Sequence, residues 1–495
     1  MWQHGAVNGP ASGGVIIGID QGSSSTRCIV SDMRLQTLAA GSSPVTTARP
    51  GPGMVEHDPG EVFQGVVQAL GEALHAAGDP DVAAVGIATQ TETFLLWDAE
   101  TGEPATALIS WQDQRADETA RALEAHGAEV EAATGLPLAP TFSAVKLAWL
   151  FERDPGLLEA AESGELLFGD VACWLAWRLA AGSGHVTEPS NASRTLLLDL
   201  DTLGWQASLC ELFGVPPSTL PAIRPSDGTG LVTSGDVAGF EAPIAATLGD
   251  QPAALYGQGC IGSRMAALTL GTGAFLWLNA GPVRPPAPPG VLATVAWDAG
   301  IGRAYALEAF GANAGNALRL LRDLGVLDGP PSPAPDWSAS LPVLVPAPAG
   351  LGTPRWHGAD RITLLEASST TTRDALSQAA VAGVAHQIAD ALEAQHARAT
   401  MDVLRVGGGL SADEGLVQAV ADLSGVKLEV SSAPEATARG IVALAAVGAG
   451  LGLEVDLAPA VARTVVPRLD DAGRERERER WRRAVQVHVS DPVGA

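Results

Sequence analysis

The sequence predicts an α/β protein that consists of two halves with similar topology. In the first half, short apolar runs typical of strands alternate with a segment of helical periodicity, and this alternation is typical of layered α/β folds. The second half repeats the order of strand, tight turn of small residues, returning strand, further strands and helix. The chain has 495 residues, of which 46% are hydrophobic, and this length corresponds to about two to four domains.

The first half contains one predicted helix among five predicted strands. The helix spans 59–77, because Val62, Val66 and Leu70 fall on one of its faces and Pro59 suits a first helical turn. The strands are predicted at 15–20, 27–31, 38–46, 82–88 and 94–98.

The second half restarts with a strand, a "GTG" turn and a returning strand. The strands are predicted at 266–270, 274–279, 292–297, 304–307 and 402–406, and the helices at 313–324 and 371–400. The stretch "ATLGDQPAALYGQG" at 246–259 is the predicted junction between the halves.

The predicted boundaries follow from this junction and from the composition of the two ends. We expect a flexible tail at 1–14, domains at 15–248 and 249–470, and a charged helix or tail at 471–495. Charges of alternating sign at 474–483 predict a solvent-exposed helix face with i,i+4 ion pairs.

The overall composition excludes several classes of partner. A formal net charge of −26 makes nucleic acid and anionic membrane surfaces unfavourable partners. The four cysteines are far apart and none has CxxC spacing, so neither a zinc site nor a disulfide framework is predicted. The N-terminus resembles no signal peptide, and no apolar stretch is long enough to cross a bilayer. We therefore expect a cytoplasmic protein.

The stretch "GIDQGSSSTRCIV" at 18–30 has two interpretations. A hairpin needs small turn residues, which is the common structural explanation. Alternatively, a turn of glycine and serine can direct backbone N–H groups and hydroxyls at a phosphate, while Asp20 at the strand end holds a metal ion. The stretch alone favours the hairpin.

Several phosphate-binding scaffolds are excluded. The only lysines, Lys146 and Lys427, do not lie in a Gly-Lys-Ser/Thr sequence, so there is no Walker A loop. The HRD sequence of protein kinases is absent, as is a GxGxxG sequence after a strand. Two strand–turn–strand loops, one in each half, remain as a scaffold for ATP.

Six motifs in order resemble those of one enzyme family. They are "DQGSSSTR", "EHDPGEVF", "SWQDQR", "NASRTLLLDLDTLGW", "LGDQPAALYGQG" and "LGTGAFLWLNAG". The set resembles the FGGY family of carbohydrate kinases, most closely its glycerol kinase branch, over roughly residues 15–455. This resemblance implies two actin-like (ribonuclease-H-like) domains around a central ATP and substrate cleft, with ATP and Mg²⁺ as cofactors.

The resemblance also implies which residues bind the nucleotide and its metal ion. Asp20 would hold Mg²⁺, although on its own it fits a turn hydrogen bond equally well. The implied phosphate and nucleotide contacts are Ser23, Ser24, Ser25, Arg27, Thr272, Gly315, Arg319, Gly409 and Asp413. Arg319 stands where glycerol kinases have a Gln and Asp413 where they have an Asn. For the turn after 402–406, an alternative is a simple helix start with Ser411 as N-cap.

A second implied set of residues binds the acceptor. Asp250 would be the general base, with a helix-capping aspartate as the alternative. The other implied acceptor contacts are Glu92, Trp111, Gln251, Phe275, Thr91 and Thr141. Thr91 replaces an Arg and Thr141 a Tyr of glycerol kinases, which leaves extra volume and fewer donors. For Trp111 and Phe275 the alternative is a plain core position.

The expected function is therefore an ATP-dependent kinase of a small polyol or sugar, with an acceptor larger than glycerol. Alternatives are a kinase of a ketose such as xylulose or ribulose, or an ATPase of the actin or Hsp70 type. We also expect the chain to form a homo-oligomer.

Overall fold

The computed structural model describes residues 14–358, 361–396, 401–433 and 435–490. The strands of its first half are β1 (Val15–Gln21), β2 (Ser25–Ser31), β3 (Thr37–Pro44), β4 (Glu56–His57), β5 (Val82–Thr89), β6 (Phe94–Asp98), β7 (Leu108–Ile109), β8 (Leu166–Asp170), β9 (Val186–Thr187), β10 (Leu198–Asp199), β11 (Gly204–Trp205), β12 (Ala222–Ile223), β13 (Leu231–Val232) and β14 (Pro243–Gly249). A mixed sheet has the order β13-β14-β5-β1-β2-β3, and a smaller sheet the order β4-β7-β6-β8.

The helices of the first half are α1 (Pro59–Ala76), α2 (Asp117–Ala122), α3 (Gly127–Thr134), α4 (Ser143–Arg153), α5 (Pro155–Ser163), α6 (Val171–Leu179), α7 (Pro189–Ala192), α8 (Ala207–Phe213), α9 (Gly235–Ala238) and α10 (Asp250–Gly257). Among them, α1 and α6 pack on the six-stranded sheet. The Asp58 side chain accepts a hydrogen bond from the Glu61 N–H and so caps α1, whose first residue is Pro59.

The second half has its own mixed sheet. Its strands are β15 (Met265–Leu270), β16 (Ala274–Gly281), β17 (Leu292–Ala299), β18 (Gly302–Gly311), β19 (Val343–Ala347), β20 (Arg361–Leu365), β21 (Val403–Gly407), β22 (Leu428–Ser431) and β23 (Val461–Val465). Seven of them form a sheet in the order β17-β18-β16-β15-β21-β22-β23. Its helices are α11 (Gly315–Asp323), α12 (Arg373–His396), α13 (Glu414–Ser424), α14 (Ala436–Gly448) and α15 (Asp471–Ser490).

The two main sheets share the topology that the sequence predicts. β1 pairs antiparallel with β2 and parallel with β5, and β15 likewise pairs antiparallel with β16 and parallel with β21. Each half therefore has a strand–turn–strand at the centre of its sheet, and the predicted α/β fold with two similar domains is confirmed. Within the described ranges, no helix combines the length and apolar character needed to cross a membrane.

α10 and α14 join the two halves. α14 packs on β1, β5 and β14 of the first sheet, while α10 packs on α14 and on β15 and β16 of the second. One buried apolar cluster extends from Ile16 and Ala84 through these helices to Ala267 and Trp297. Because β14 and α10 follow each other without a linker, the domain boundary at 248/249 stays a prediction.

The C-terminal segment is helical and has an exposed charged face, as predicted. Its other face is buried, which the sequence analysis did not foresee, and carries Arg478 and Trp481. Only Arg483 and Glu479 form an i,i+4 ion pair among its described residues, at 4.0 Å. The predicted tail at 1–14, except for Gly14, lies outside the described residues, as do 397–400 of the predicted long helix.

Candidate active site

Two aspartates lie at the carboxyl ends of β1 and β14, the two strands that flank β5 and run parallel to it in the first sheet. Asp20 lies near the end of β1, and Asp250 follows the end of β14 as the first residue of α10. Burial, together with the charges of Asp20 and Glu92, raises the pKa of Asp250 to about 7. Burial likewise raises the pKa of Asp20 to about 7, with a contribution from Glu435. The structure therefore brings Asp20, Asp250 and Glu92 together.

The structural alternatives for these aspartates are not observed. The N-cap of α10 is Gly249, and no described side chain caps this helix. The hydrogen bonds of the Asp250 carboxylate come from the adjacent Gln251, whose N–H donates to Oδ1 at 2.7 Å. In the described part of the chain, the Asp20 carboxylate accepts no hydrogen bond at all. Neither half-buried acid has a structural function that explains its position, which is typical of a functional site.

The turn after Asp20 is as tight as predicted. The Gly22 N–H donates to the Ser25 carbonyl oxygen at 3.0 Å, and Ser24 and Ser25 are exposed while Ser23 is half-buried. None of the three serine hydroxyls has a hydrogen-bond partner among the described residues, so all three are available to a ligand. Arg27 on β2 is engaged differently, because its guanidinium forms an ion pair with Glu435.

Glu92 is held in a strained backbone conformation. Its φ of 58° lies in the left-handed region, which is unfavourable for a glutamate and is typical of functional sites. The Ser143 hydroxyl and the Lys146 ammonium donate to its carbonyl oxygen at 3.2 and 3.3 Å. The Thr91 hydroxyl donates to its Oε2 at 2.6 Å. These contacts thus hold both the backbone conformation and the carboxylate orientation of Glu92.

A buried arginine that the sequence analysis did not select completes this arrangement. The Arg194 Nε donates to the Glu92 Oε1 at 2.5 Å, and its Nη1 donates to the Glu308 Oε2 at 2.7 Å. All three side chains are buried, and Glu308 comes from β18 of the second half. Arg194 therefore connects the predicted acceptor residue to the other domain. The sequence feature that could have identified Arg194 is its place in the "NASRT" motif.

The remaining predicted acceptor residues are half-buried, as a binding position requires. Trp111, Thr141, Gln251 and Phe275 all retain partial exposure, and Phe275 also packs against a buried core cluster. The Phe275 ring packs against Phe310 with 4.8 Å between ring centroids. Thr141 has no side-chain hydrogen bond among the described residues.

The predicted nucleotide residues of the second half form a separate group around the start of α11. The carbonyl oxygens of Gly271 and Thr272 accept hydrogen bonds from the Gly315 and Asn316 N–H groups at 3.0 and 3.1 Å. A Cβ on Gly315 would lie 2.8 Å from the Gly271 oxygen, so only glycine fits there. The Thr272 side chain is exposed beside this turn.

Three further nucleotide predictions differ in their surroundings. Gly409 and Arg319 are exposed. Among the described residues, the Arg319 side chain has no hydrogen-bond or ion-pair partner. Asp413 is buried, caps α13 through the Leu416 N–H and accepts a hydrogen bond from the Ser332 hydroxyl at 2.6 Å. This carboxylate therefore has a structural function that the sequence analysis did not assign. The alternative with Ser411 as N-cap is wrong, because Asp413 occupies that position.

Paired strand-end carboxylates beside a serine-rich turn, between two α/β domains of similar topology, define the class of protein: a two-domain phosphotransferase. The FGGY family of carbohydrate kinases matches with its N-terminal domain over residues 15–257 and with its C-terminal domain over 266–449. The chain belongs to this family.

Relatives and solved structures specify the branch. A glycerol kinase of Citrifermentans bemidjiense is 39% identical over 96% of this chain and 98% of its own, and a glycerol kinase of Thermus brockianus is 40% identical over 95% and 98%. The crystal structure of Plasmodium falciparum glycerol kinase with ADP has a TM-score of 0.89 and 27% identity, covering 97% of this chain and 99% of that one. The chain is thus an ATP-dependent kinase of a polyol or sugar. Because these relatives are glycerol kinases, the glycerol kinase-like interpretation is favoured over a ketose kinase and over an actin- or Hsp70-type ATPase.

Proposed function

We propose that this kinase transfers the γ-phosphate of ATP to a hydroxyl of a linear polyol, with Asp250 as the general base. The observation that carries the proposal is the position of Asp250 at the carboxyl end of β14, near Asp20 and Glu92 and without a capping function, where burial and the charge of Asp20 raise its pKa to about 7. A base with a pKa near the working pH accepts a proton efficiently and is still deprotonated often enough to do so. Asp250 would accept the hydroxyl proton as the phosphoryl group arrives.

Asp20 is the residue that fits a magnesium ion. Among the described residues, no group of three or more His, Cys, Asp or Glu side chains could form a metal cage, and a Mg²⁺ ion that accompanies ATP does not need one, because water and phosphate oxygens supply most of its ligands. The Asp20 carboxylate accepts no described hydrogen bond and lies near the charges of Glu435 and Asp250, so a cation would relieve their repulsion. When bound, Mg²⁺ would neutralise phosphate charge.

The nucleotide would lie between the two turns. The free hydroxyls of Ser23, Ser24 and Ser25 would bind the phosphates from the first domain, and Thr272 from the second. Gly315 and Gly409 would allow the nucleotide to approach the backbone, and the unpaired Arg319 would add a positive charge. Arg27 would affect the nucleotide site indirectly, through its ion pair with Glu435. Asp413 would also act indirectly, because it caps the start of α13. The glycerol kinase of Plasmodium falciparum, solved with ADP, supports an adenine nucleotide as the ligand.

The acceptor we propose is a four- or five-carbon alditol. Glu92, Gln251 and Asp250 suit a polyhydroxyl ligand, and Trp111 and Phe275 offer apolar faces to its C–H groups. Thr91 and Thr141 are smaller than the Arg and Tyr of glycerol kinases, and Thr91 already donates its hydroxyl proton to Glu92. Each unmatched polar group would weaken glycerol binding by roughly 1–3 kcal/mol.

The test is the value of kcat/KM, measured by ADP release, for glycerol, erythritol, the pentitols, xylulose and ribulose. We expect a four- or five-carbon alditol to be the best acceptor and expect the double variant T91R/T141Y to shift the preference towards glycerol. A preference of the wild type for glycerol of about tenfold or more, equivalent to about 1.4 kcal/mol, would contradict the enlarged pocket and leave a glycerol kinase.

We propose further that the enzyme is a cytoplasmic homo-oligomer. All four cysteines are buried free thiols, which suits a reducing compartment. Light scattering of the purified protein on a sizing column measures the oligomeric state.

A further inference from the structure

A buried polar turn lies directly behind Asp250. The turn consists of α7 and the preceding Glu188, and its Ser190 hydroxyl accepts a hydrogen bond from the Gly249 N–H at 2.9 Å. Gly249 is the last residue of β14 and the N-cap of α10, immediately before Asp250. A side chain from a different segment therefore holds the Leu248–Gly249 peptide, one residue before Asp250.

Glu188 orients the Ser190 hydroxyl. The Ser190 Oγ donates its proton to the Glu188 Oε1 at 2.5 Å, while the Glu188 Oε2 accepts from the Ser190 N–H at 2.8 Å and from the Ser226 hydroxyl at 2.7 Å. Glu188 and Ser190 are both 1% exposed. Because the hydroxyl proton points at the carboxylate, a lone pair of the oxygen is directed at the Gly249 N–H.

The opposite side of Gly249 is packed by the predicted acceptor pocket. A Cβ on Gly249 would lie 2.6 Å from the Thr91 Cγ2 and 3.3 Å from the Pro252 Cδ. Gly249 is therefore held by the Ser190 hydroxyl at its N–H and packed by Thr91 at its Cα. A change at Ser190 would alter the direction of the Asp250 carboxylate without touching substrate or nucleotide.

We propose that Ser190, oriented by Glu188, is a positioning residue that fixes the Leu248–Gly249 peptide at the start of α10 and thereby aims Asp250 at the acceptor hydroxyl. This inference rests on the proposed function, in which Asp250 is the general base. It predicts an effect on the chemical step and little effect on ATP binding, because Ser190 contacts neither domain's phosphate turn.

The test compares Ser190→Ala with Ser193→Ala. Ser193 carries a buried hydroxyl in the same segment, but its partners are Ser190 O, Thr294 and the Val295 N–H instead of Gly249. We expect Ser190→Ala to lower kcat by roughly 10- to 100-fold, as small misplacements of a catalytic group do, with the KM for ATP changed less than about twofold. We expect Ser193→Ala to keep kcat close to that of the wild type.

Two further variants separate positioning from folding. Ser190→Thr keeps the hydroxyl and should restore kcat, whereas Ser190→Cys keeps the volume but offers a weak acceptor and should lower kcat as Ser190→Ala does. Thermal melts of all variants report folding. If Ser190→Ala and Ser190→Cys match Ser193→Ala in kcat, or if they lose the fold while Ser190→Thr keeps it, the proposal is overturned.

Asp250→Asn, measured in parallel, separates this inference from the function it rests on. Loss of turnover in Asp250→Asn together with unchanged kcat in Ser190→Ala rejects the positioning role alone. Retained turnover in Asp250→Asn rejects Asp250 as the base, whatever the Ser190 variants show.

Discussion

The side chain of Asp250 combines burial, a raised pKa and the absence of a capping function. Removal of its charge in Asp250→Asn should lower kcat by about 10²–10⁴-fold, the usual contribution of a positioned base, while ATP still binds. Because the base must be deprotonated and burial raises its pKa to about 7, wild-type kcat should rise with pH through this region. The measurement is kcat at saturating acceptor across pH.

The matched control for Asp250→Asn is Asp328→Asn, which makes the same chemical change at a side chain that is 81% exposed in an ion pair with Arg373. Its kcat and pH profile should equal those of the wild type. Turnover of Asp250→Asn close to the wild-type value would mean that Asp250 is structural. Asp20→Ala should behave differently from both and should weaken the dependence of the rate on Mg²⁺.

At the scale of elements, α15 shows how a charged helix can belong to the core. The Arg478 guanidinium forms ion pairs with Asp390 and, at 2.8 Å, with Glu393. The Trp481 ring stacks on His386 with 4.9 Å between centroids, and its Nε1–H donates to the Asp390 Oδ2 at 2.8 Å. These contacts attach α15 to α12, so the last helix is part of the second domain.

Arg478→Ala should lower the free energy of unfolding by about 3–5 kcal/mol, because it leaves the buried Asp390 with less compensation. Arg483→Ala, on the exposed face of the same helix, should change it by less than about 0.5 kcal/mol, since exposed pairs contribute little. Urea denaturation of both variants measures the difference. Equal urea midpoints for Arg478→Ala and Arg483→Ala would show that α15 is attached through its apolar contacts alone.

At the scale of the whole molecule, the two domains meet through a close approach of α10 and α14. A Cβ on Gly440 would collide with the carbonyl oxygen of Ala253, and one on Gly257 with that of Ala436. The two helices therefore touch backbone to backbone. Because α10 begins with Asp250, their spacing also determines how the acceptor residues of the two domains are arranged.

Gly440→Ala should therefore lower both thermal stability and kcat, because the methyl group separates α10 from α14. The control is Gly71→Ala in the exposed part of α1, where a Cβ meets nothing within 4 Å. That substitution should keep full activity and stabilise the helix by up to about 1 kcal/mol. Thermal melts and kcat measurements of both variants test these expectations. A Gly440→Ala enzyme with unchanged kcat would show that the helix spacing tolerates a methyl group.

The sequence by itself determined the class of fold, the two turns and the family. β1, β5 and β16 begin within one residue of the predicted starts, because local apolar runs end at glycine, serine or acidic residues that mark strand ends. The motifs carried the family resemblance for the same reason, since each is a short local pattern. The burial of Arg478 escaped prediction, because alternating charges look the same on a solvated and on a docked helix.

Only the tertiary structure decided which distant residues act together. Glu92, Arg194 and Glu308 are separated by 102 and 114 positions, and Ser190 and Gly249 by 59, so no periodicity or spacing links them. The raised pKa values of Asp20 and Asp250 have the same origin, since they arise from burial and from charges that meet only after the chain has folded. Contacts within a strand or helix depend on neighbours in sequence, whereas the electrostatics of the site depend on neighbours in space.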